Sequence, residues 1–140
     1  MADAKFTEIE YDQESGRAIY SDVDLSFKVH PTTGDILKTK NATVIKQSMR
    51  NILQTRQYER IGHPEIGSNL SELLFDQMSP MTEARLRQSI EVTMSNLEPR
   101  AIIKDIKVTS EDQLNRYRVT IVFTMMSQKT EETFEQFLYR

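Results

Sequence analysis

The amino-acid sequence predicts an α+β protein. A small antiparallel sheet, about three C-terminal strands plus an N-terminal hairpin, packs against two long helices and one short helix. Three observations predict that class. Apolar residues recur at helical spacing over 40–55 and again over 79–98. The apolar period changes to two after residue 101. Gly, Pro, Asn and Ser cluster between these stretches. At 140 residues the chain has the size of one domain, and with no cysteine it forms neither disulfides nor thiolate metal sites.

The first 24 residues hold seven acids and two bases, a net of −5, against −3 for the whole chain. This acidic, Gly- and Ser-punctuated start reads as an arm, 1–24, that is mobile or ordered only by a partner. A single domain over 25–140 follows it. In DLSFKVHPTTGDILKT, Leu25, Phe27 and Val29 alternate, PTTG supplies turn chemistry, and Ile36 follows in the return limb. That pattern predicts a hairpin. KNATVIKQSMRNILQT predicts a helix with Val44, Ile45, Ser48, Met49, Ile52 and Leu53 on one face, capped by Asn41 or Thr39.

RQYERIGHPEIGSNL, with two glycines and a proline, predicts an ordered loop. Ser68 or Asn69 then caps a short helix, LSELLFDQM, anchored by Leu70, Leu73 and Leu74 with Phe75 close behind. SPMTEARLRQSIEVTMSNLE predicts the second long helix. Ser79 is its N-cap, Pro80 takes the first helical position, and Leu86, Ile90, Met94 and Leu97 form its buried stripe. Pro99 must end this helix, because a residue preceding proline is pushed out of the α region. The junction that follows is Glu98, Pro99, Arg100. A helix dipole disfavours an anion at its C-terminus by a few tenths of a kcal/mol or more, so Glu98 breaks a local rule. Two readings stand. An internal Glu98–Arg100 or Glu98–Arg56 bridge fixes the helix–strand angle, or both charges face a neighbouring chain.

Ile102, Ile106 and Val108 are expected on one face of the first C-terminal strand. Tyr117, Val119, Ile121, Phe123 and Met125 are expected on one face of the second. TFEQFLYR predicts a third strand, at the sheet edge. It carries Phe134, Phe137, Leu138 and Tyr139, too many large apolar groups for one buried face. Such an edge invites pairing by another chain. The alternative is a strand held flat by this chain's own helices.

The charge balance offers no footprint for nucleic acid, and no apolar run approaches the roughly 20 residues that span a bilayer. Nucleophile elbows, phosphate loops and metal-spaced histidines are missing, so no cofactor is expected and His30 and His63 read as surface residues. Glycoside hydrolysis needs two carboxylates, one with a raised pKa. Glu65, Glu72, Asp76 and Glu98 lie nearest ordered apolar neighbours, but they are expected to cap helices or pair with Arg56, Arg60 and Arg100.

Four stretches, in order over about residues 22–108, carry a family resemblance. They are DLSFKVHPTTGDILKTKN, VIKQSMRNILQT with the following ER and HPEIGSNLSELLF, MSPMTEARL, and LEPRAIIKDIKV. Together they resemble the baseplate wedge, or sheath-initiator, family of contractile phage tails, which has relatives in type VI secretion baseplates. The resemblance implies a non-enzymatic structural subunit of the virion tail baseplate, present in several copies and assembled in the host bacterial cytoplasm. Its implied partners are other wedge proteins, the tail sheath protein and, beyond those, the tail tube, with no nucleic acid, membrane or cofactor.

By the same resemblance, Glu98, Pro99 and Arg100 occupy a core contact motif, and Pro64, Gly67, Leu70, Leu74 and Phe75 a structural loop motif. The edge strand, through Phe134, Gln136, Phe137, Leu138 and Tyr139, would join the first sheath ring by strand addition, flanked by Arg118, Thr120 and Val122. The family is sometimes labelled lysozyme, which makes a peptidoglycan-cleaving hydrolase using Glu65, Glu72 and Glu98 the alternative. Two departures stand out: Gln57 and Tyr58 replace a frequent Pro-Gly pair, and FEQFLYR is short.

Overall fold

The structure is a computed structural model and describes residues 20–126 and 130–140. Most of the expected acidic arm, 1–19, lies outside the described residues. The chain divides into two compact units, residues 1–44 and 45–140.

In the first unit, β1 (Ser21–Val23) pairs antiparallel with β2 (Lys38–Lys40). The ladder runs on toward a tip. Asp24 N–H donates to the Leu37 carbonyl at 2.9 Å, Leu37 N–H to Lys28 at 2.9 Å, and Val29 bridges Ile36. His30 organises the turn. Its N–H donates to the Asp35 carbonyl at 2.7 Å, and its ring Nδ1 accepts from the N–H groups of Thr32 and Thr33 at 3.3 and 3.2 Å. Gly34 supplies the left-handed step, at φ +70°. The hairpin is therefore present, but its expected apolar alternation is interrupted. Phe27 N–H turns back to the Asp24 carbonyl at 3.0 Å and Phe27 sits at φ +52°, so the limb kinks and Leu25, Phe27 and Val29 are all exposed.

α1 (Ala42–Gln54) crosses the unit boundary. Asn41 stands immediately before it, while Thr39 is taken up in β2. In the second unit α1 buries Ile45, Met49, Ile52 and Leu53. There follow α2 (Leu70–Leu74), α3 (Pro80–Leu97), β3 (Ala101–Glu111), a 3-10 turn at Asp112–Leu114, β4 (Arg116–Met125) and β5 (Glu131–Tyr139). The sheet order is β3-β4-β5, antiparallel throughout, and α3 packs on β3. α3 starts as its sequence requires: Ser79 Oγ accepts from Thr82 N–H at 3.2 Å and Pro80 opens the helix. Leu86, Ile90 and Met94 are fully buried, as are Tyr117, Val119, Ile121 and Phe123 on the inner face of β4.

Two expectations need correction. The register of β3 slips between Ile103, opposite Phe123, and Asp105, opposite Val122, so Lys104 is the extra residue of a bulge. A one-residue insertion reverses side-chain parity. Ala101 and Ile103 therefore share the inner face with Ile106 and Val108, and Ile102 is 47% exposed. The second correction concerns α2. Asn69 occupies the N-cap position without capping the backbone; its Nδ2 donates to Glu72 Oε2 at 3.3 Å. Ser68 Oγ is drawn away to the Leu53 carbonyl at 3.0 Å. The helix ends at Leu74, and Phe75 is exposed, not packed behind the leucines.

Candidate functional site: a closed charge pair and an open strand edge

The α3–β3 corner is built on Pro99. Glu98 leaves the helix at φ −125°, ψ 72°, with its N–H still donating to the Met94 carbonyl at 2.9 Å. The two-residue step across Pro99 lets Arg100 fold back. Its Nε and Nη2 donate to the two Glu98 oxygens at 2.6 and 2.7 Å. Glu98 is 1% exposed, whereas the Arg100 side chain is 35% exposed. A buried carboxylate is tolerable only with such a fork-to-fork partner. Arg100, not Arg56, is therefore the intrachain partner of Glu98. The corner is also tied to the sheet, because Met126 N–H donates to the Arg100 carbonyl at 3.0 Å.

The loop motif is a cinch. Arg56 and Ser68 form a parallel bridge, and Ser68 N–H donates to the Thr55 carbonyl at 2.8 Å. Gly67, at φ +141°, lies so close to Arg56 that a Cβ there would meet its backbone carbon and oxygen at 2.7 Å. The five motif residues are dispersed: Gly67 and Leu70 are buried, Leu74 is half-buried, and Pro64 and Phe75 are exposed. Tyr58 stands at φ +69°, a conformation glycine takes freely and a bulky residue rarely adopts. That is the position where Tyr58 replaces the glycine of the frequent Pro-Gly pair.

β5 pairs with β4 alone among the described residues. The edge residues divide between two faces. Phe134, Gln136 and Leu138 lie opposite Ile121, Val119 and Tyr117 on the inner face. Phe137 and Tyr139 lie opposite Arg118 and Arg116 on the outer face, which Thr120 and Val122 share. This division resolves the surplus of apolar groups. Phe134 and Leu138 are buried, Tyr139 is exposed, and Phe137 lies beneath two guanidinium groups, 4.1 Å from Arg116 and 5.4 Å from Arg118. Both arginines bridge to Glu111 at 2.5 Å. Arg116 first, then Arg118, holds the Glu111 carboxyl below the usual range. On the inner side, α1 reaches the strand through Lys46 Nζ to Glu132 Oε2 at 2.7 Å and Arg50 Nε to Gln136 Oε1 at 3.2 Å. Sequence reasoning missed Lys46, Arg50, Glu111 and Arg116. The Glu111–Arg116 pairing had a faint signal, since the two flank one tight turn.

The carboxylates of the hydrolase reading are engaged elsewhere. Glu98 is buried against Arg100. Glu65 is 63% exposed, 3.1 Å from His63 Nδ1, and shifted toward stronger acidity by its own backbone N–H and then by His63. Glu72 accepts from Asn69, and Asp76 lies 3.7 Å from Arg85. No group of three or more metal-ligating side chains occurs among the described residues, and none of the helices described is long and apolar enough to cross a membrane.

Fold and site together define a small α+β module with internally paired charges and a sheet that keeps one regular strand open. The family described as baseplate wedge protein gp25 matches residues 39–130, and the chain belongs to that family. Over 82 residues it is 35% identical to baseplate wedge protein gp25 of Enterobacteria phage T4; the match spans 59% of this chain and 61% of that relative's length. The fold recurs in the crystal structure of a candidate tail lysozyme from Geobacter sulfurreducens, with a TM-score of 0.65 and 20% identity over 69% of this chain and 88% of that one. It recurs also in the baseplate of the anti-feeding prophage, with a TM-score of 0.59 and 19% identity over 86% and 84% of the two chains. A chain of the type VI secretion system baseplate complex matches with a TM-score of 0.53 and 19% identity, over 69% and 91%.

Proposed function

We propose that this chain is a non-enzymatic wedge subunit that starts the tail sheath by strand addition along β5. The observation that supports the reading most is the contrast between the two sheet edges. β5 runs nine residues in unbroken register and, among the described residues, is paired on one side only. β3, at the other edge, is bulged at Lys104 and lies against α3. Bulges and edge charges discourage pairing, whereas a long regular edge invites it. The outer margin of β5 presents backbone for affinity, with Tyr139 and the Arg116–Phe137–Arg118 stack for register. At the other end of the sheet, Glu98 holds Arg100 at a fixed angle. The exposed part of its guanidinium, beside exposed Pro99, is the contact offered to a neighbouring wedge protein around the tail tube.

Adjacent residues of a strand aim their N–H groups to opposite sides. Proline at Glu135 or at Gln136 therefore removes one ladder donor in one variant and one outward donor in the other. The variant that keeps the β4 ladder should melt like the wild type and enter baseplates, yet nucleate no sheath. Sheaths of normal length on those baseplates would refute strand addition at β5.

The hydrolase reading draws on the fold likeness to the candidate tail lysozyme. A general acid needs a raised pKa, whereas the carboxyls that shift among the described residues, Asp24, Glu65 and Glu111, all shift toward stronger acidity. Purified protein should leave a cell-wall suspension turbid from acid to neutral pH.

A further inference from the structure

The loop over 56–68 has fixed feet and an apolar tip. Its feet are the Arg56–Ser68 bridge, the Gly67 contact and Gln57 N–H donating to the Ser68 carbonyl at 3.3 Å. Tyr58 N–H donates across the loop to the Pro64 carbonyl at 2.9 Å, so the tip is braced as well. On this frame Tyr58 is 77% exposed and Ile61 is 103% exposed. Tyr58 also holds φ +69°. An isolated chain gains nothing from a strained tyrosine whose ring stands in water. Burial of the ring by another molecule supplies apolar contact that offsets the backbone strain. The surrounding acids are occupied: Glu59 Oε2 accepts from Arg56 N–H at 3.0 Å, and Glu65 pairs with His63. Glu59 and Arg60 both lie between the two apolar residues; the Glu59 carboxylate is tied back to the foot of the loop, which leaves Arg60 as the charge set to meet a partner.

We infer that Tyr58 and Ile61 are twin anchors that dock into an apolar pocket of a neighbouring baseplate protein, a pocket with a carboxylate on its rim to meet Arg60. A rigid aromatic anchor with a flanking arginine is the usual composition of an energetic centre at a protein interface. The docking site is separate from β5. It rests on membership of the baseplate family and not on strand addition.

The test uses the full chain co-expressed with the baseplate proteins encoded beside it. Tyr58→Gly and Ile61→Ser should each weaken incorporation into wedges by about tenfold or more. Arg60→Glu should weaken it too, with a loss that shrinks as salt rises. The free Tyr58→Gly chain should melt at the wild-type temperature or above it, because glycine relieves the left-handed step. A stability gain paired with a binding loss has no explanation in a merely structural tip. Wild-type incorporation of both anchor variants would overturn the inference. So would a melting temperature for Tyr58→Gly that falls in step with binding, or an effect confined to self-association of the chain. Wedges that do take up a variant still report sheath growth, which tests β5 independently.

Discussion

At the α3–β3 corner, the Glu98 carboxylate is buried and both of its oxygens are held by Arg100. Along β5, nine residues of backbone pair on one side only among the described residues. The corner satisfies its buried carboxylate within the chain, and the strand keeps one margin of its backbone unpaired among the described residues. The difference lies in what folding alone can supply. A side-chain charge two residues from an arginine, across a proline, needs nothing further. A long regular strand edge left open is a template for another strand. Damage at the corner should therefore appear as lost stability together with any wedge contact Arg100 makes, and damage at the edge as lost assembly alone.

The largest effect expected is the loss of sheath nucleation by the outward-facing proline variant of β5, with melting unchanged. If that variant is also unstable, the contrast between edge and corner breaks. Next comes Arg100→Ala, which strands a buried carboxylate and should cost about 2–4 kcal/mol in denaturant unfolding. Replacing Glu98 and Arg100 together with leucine should recover most of that loss. If Arg100→Ala unfolds like the wild type, the pair is not closed in the sense described. Gly67→Ala should cost about 1–3 kcal/mol, since its methyl meets backbone and its φ disfavours any side chain. The loss should leave sheath nucleation intact wherever the protein stays folded.

The smallest effect concerns Glu111. Its folded pKa is lowered, so its contribution is present above the ordinary carboxyl value of about 4.3 and is lost as pH falls through the lowered one. Glu111→Gln should melt slightly below the wild type at neutral pH. The gap should close under acid conditions in calorimetry.

Much of this organisation was legible from local chemistry. Ser79, Pro80 and Pro99 bracket α3, and PTTG with Gly34 marks the hairpin tip. The ordered motifs through LEPR pointed to the family. The bulge at Lys104 was not legible, because no glycine or proline marks it and its cause is the pairing with β4. The kink at Phe27 was hidden in the same way by an apolar alternation that suits a straight strand. The partner of Glu98 stayed open until Arg100 was seen to fold back across Pro99, since Arg56 was equally available on paper. The two faces of β5 became separable only once its register against β4 was known. Phe137 reads as core until Arg116 and Arg118 are found above it.

That stack beneath the guanidinium groups also bears on how many ways β5 can be presented. A slip of one residue would turn Phe134 and Leu138 out to water and bring Gln136 or Leu138 under Arg116 and Arg118. The strand thus has a single phase along its own length. A strand added there, as proposed, would inherit that phase, so each copy of the subunit would offer its neighbour the same starting height.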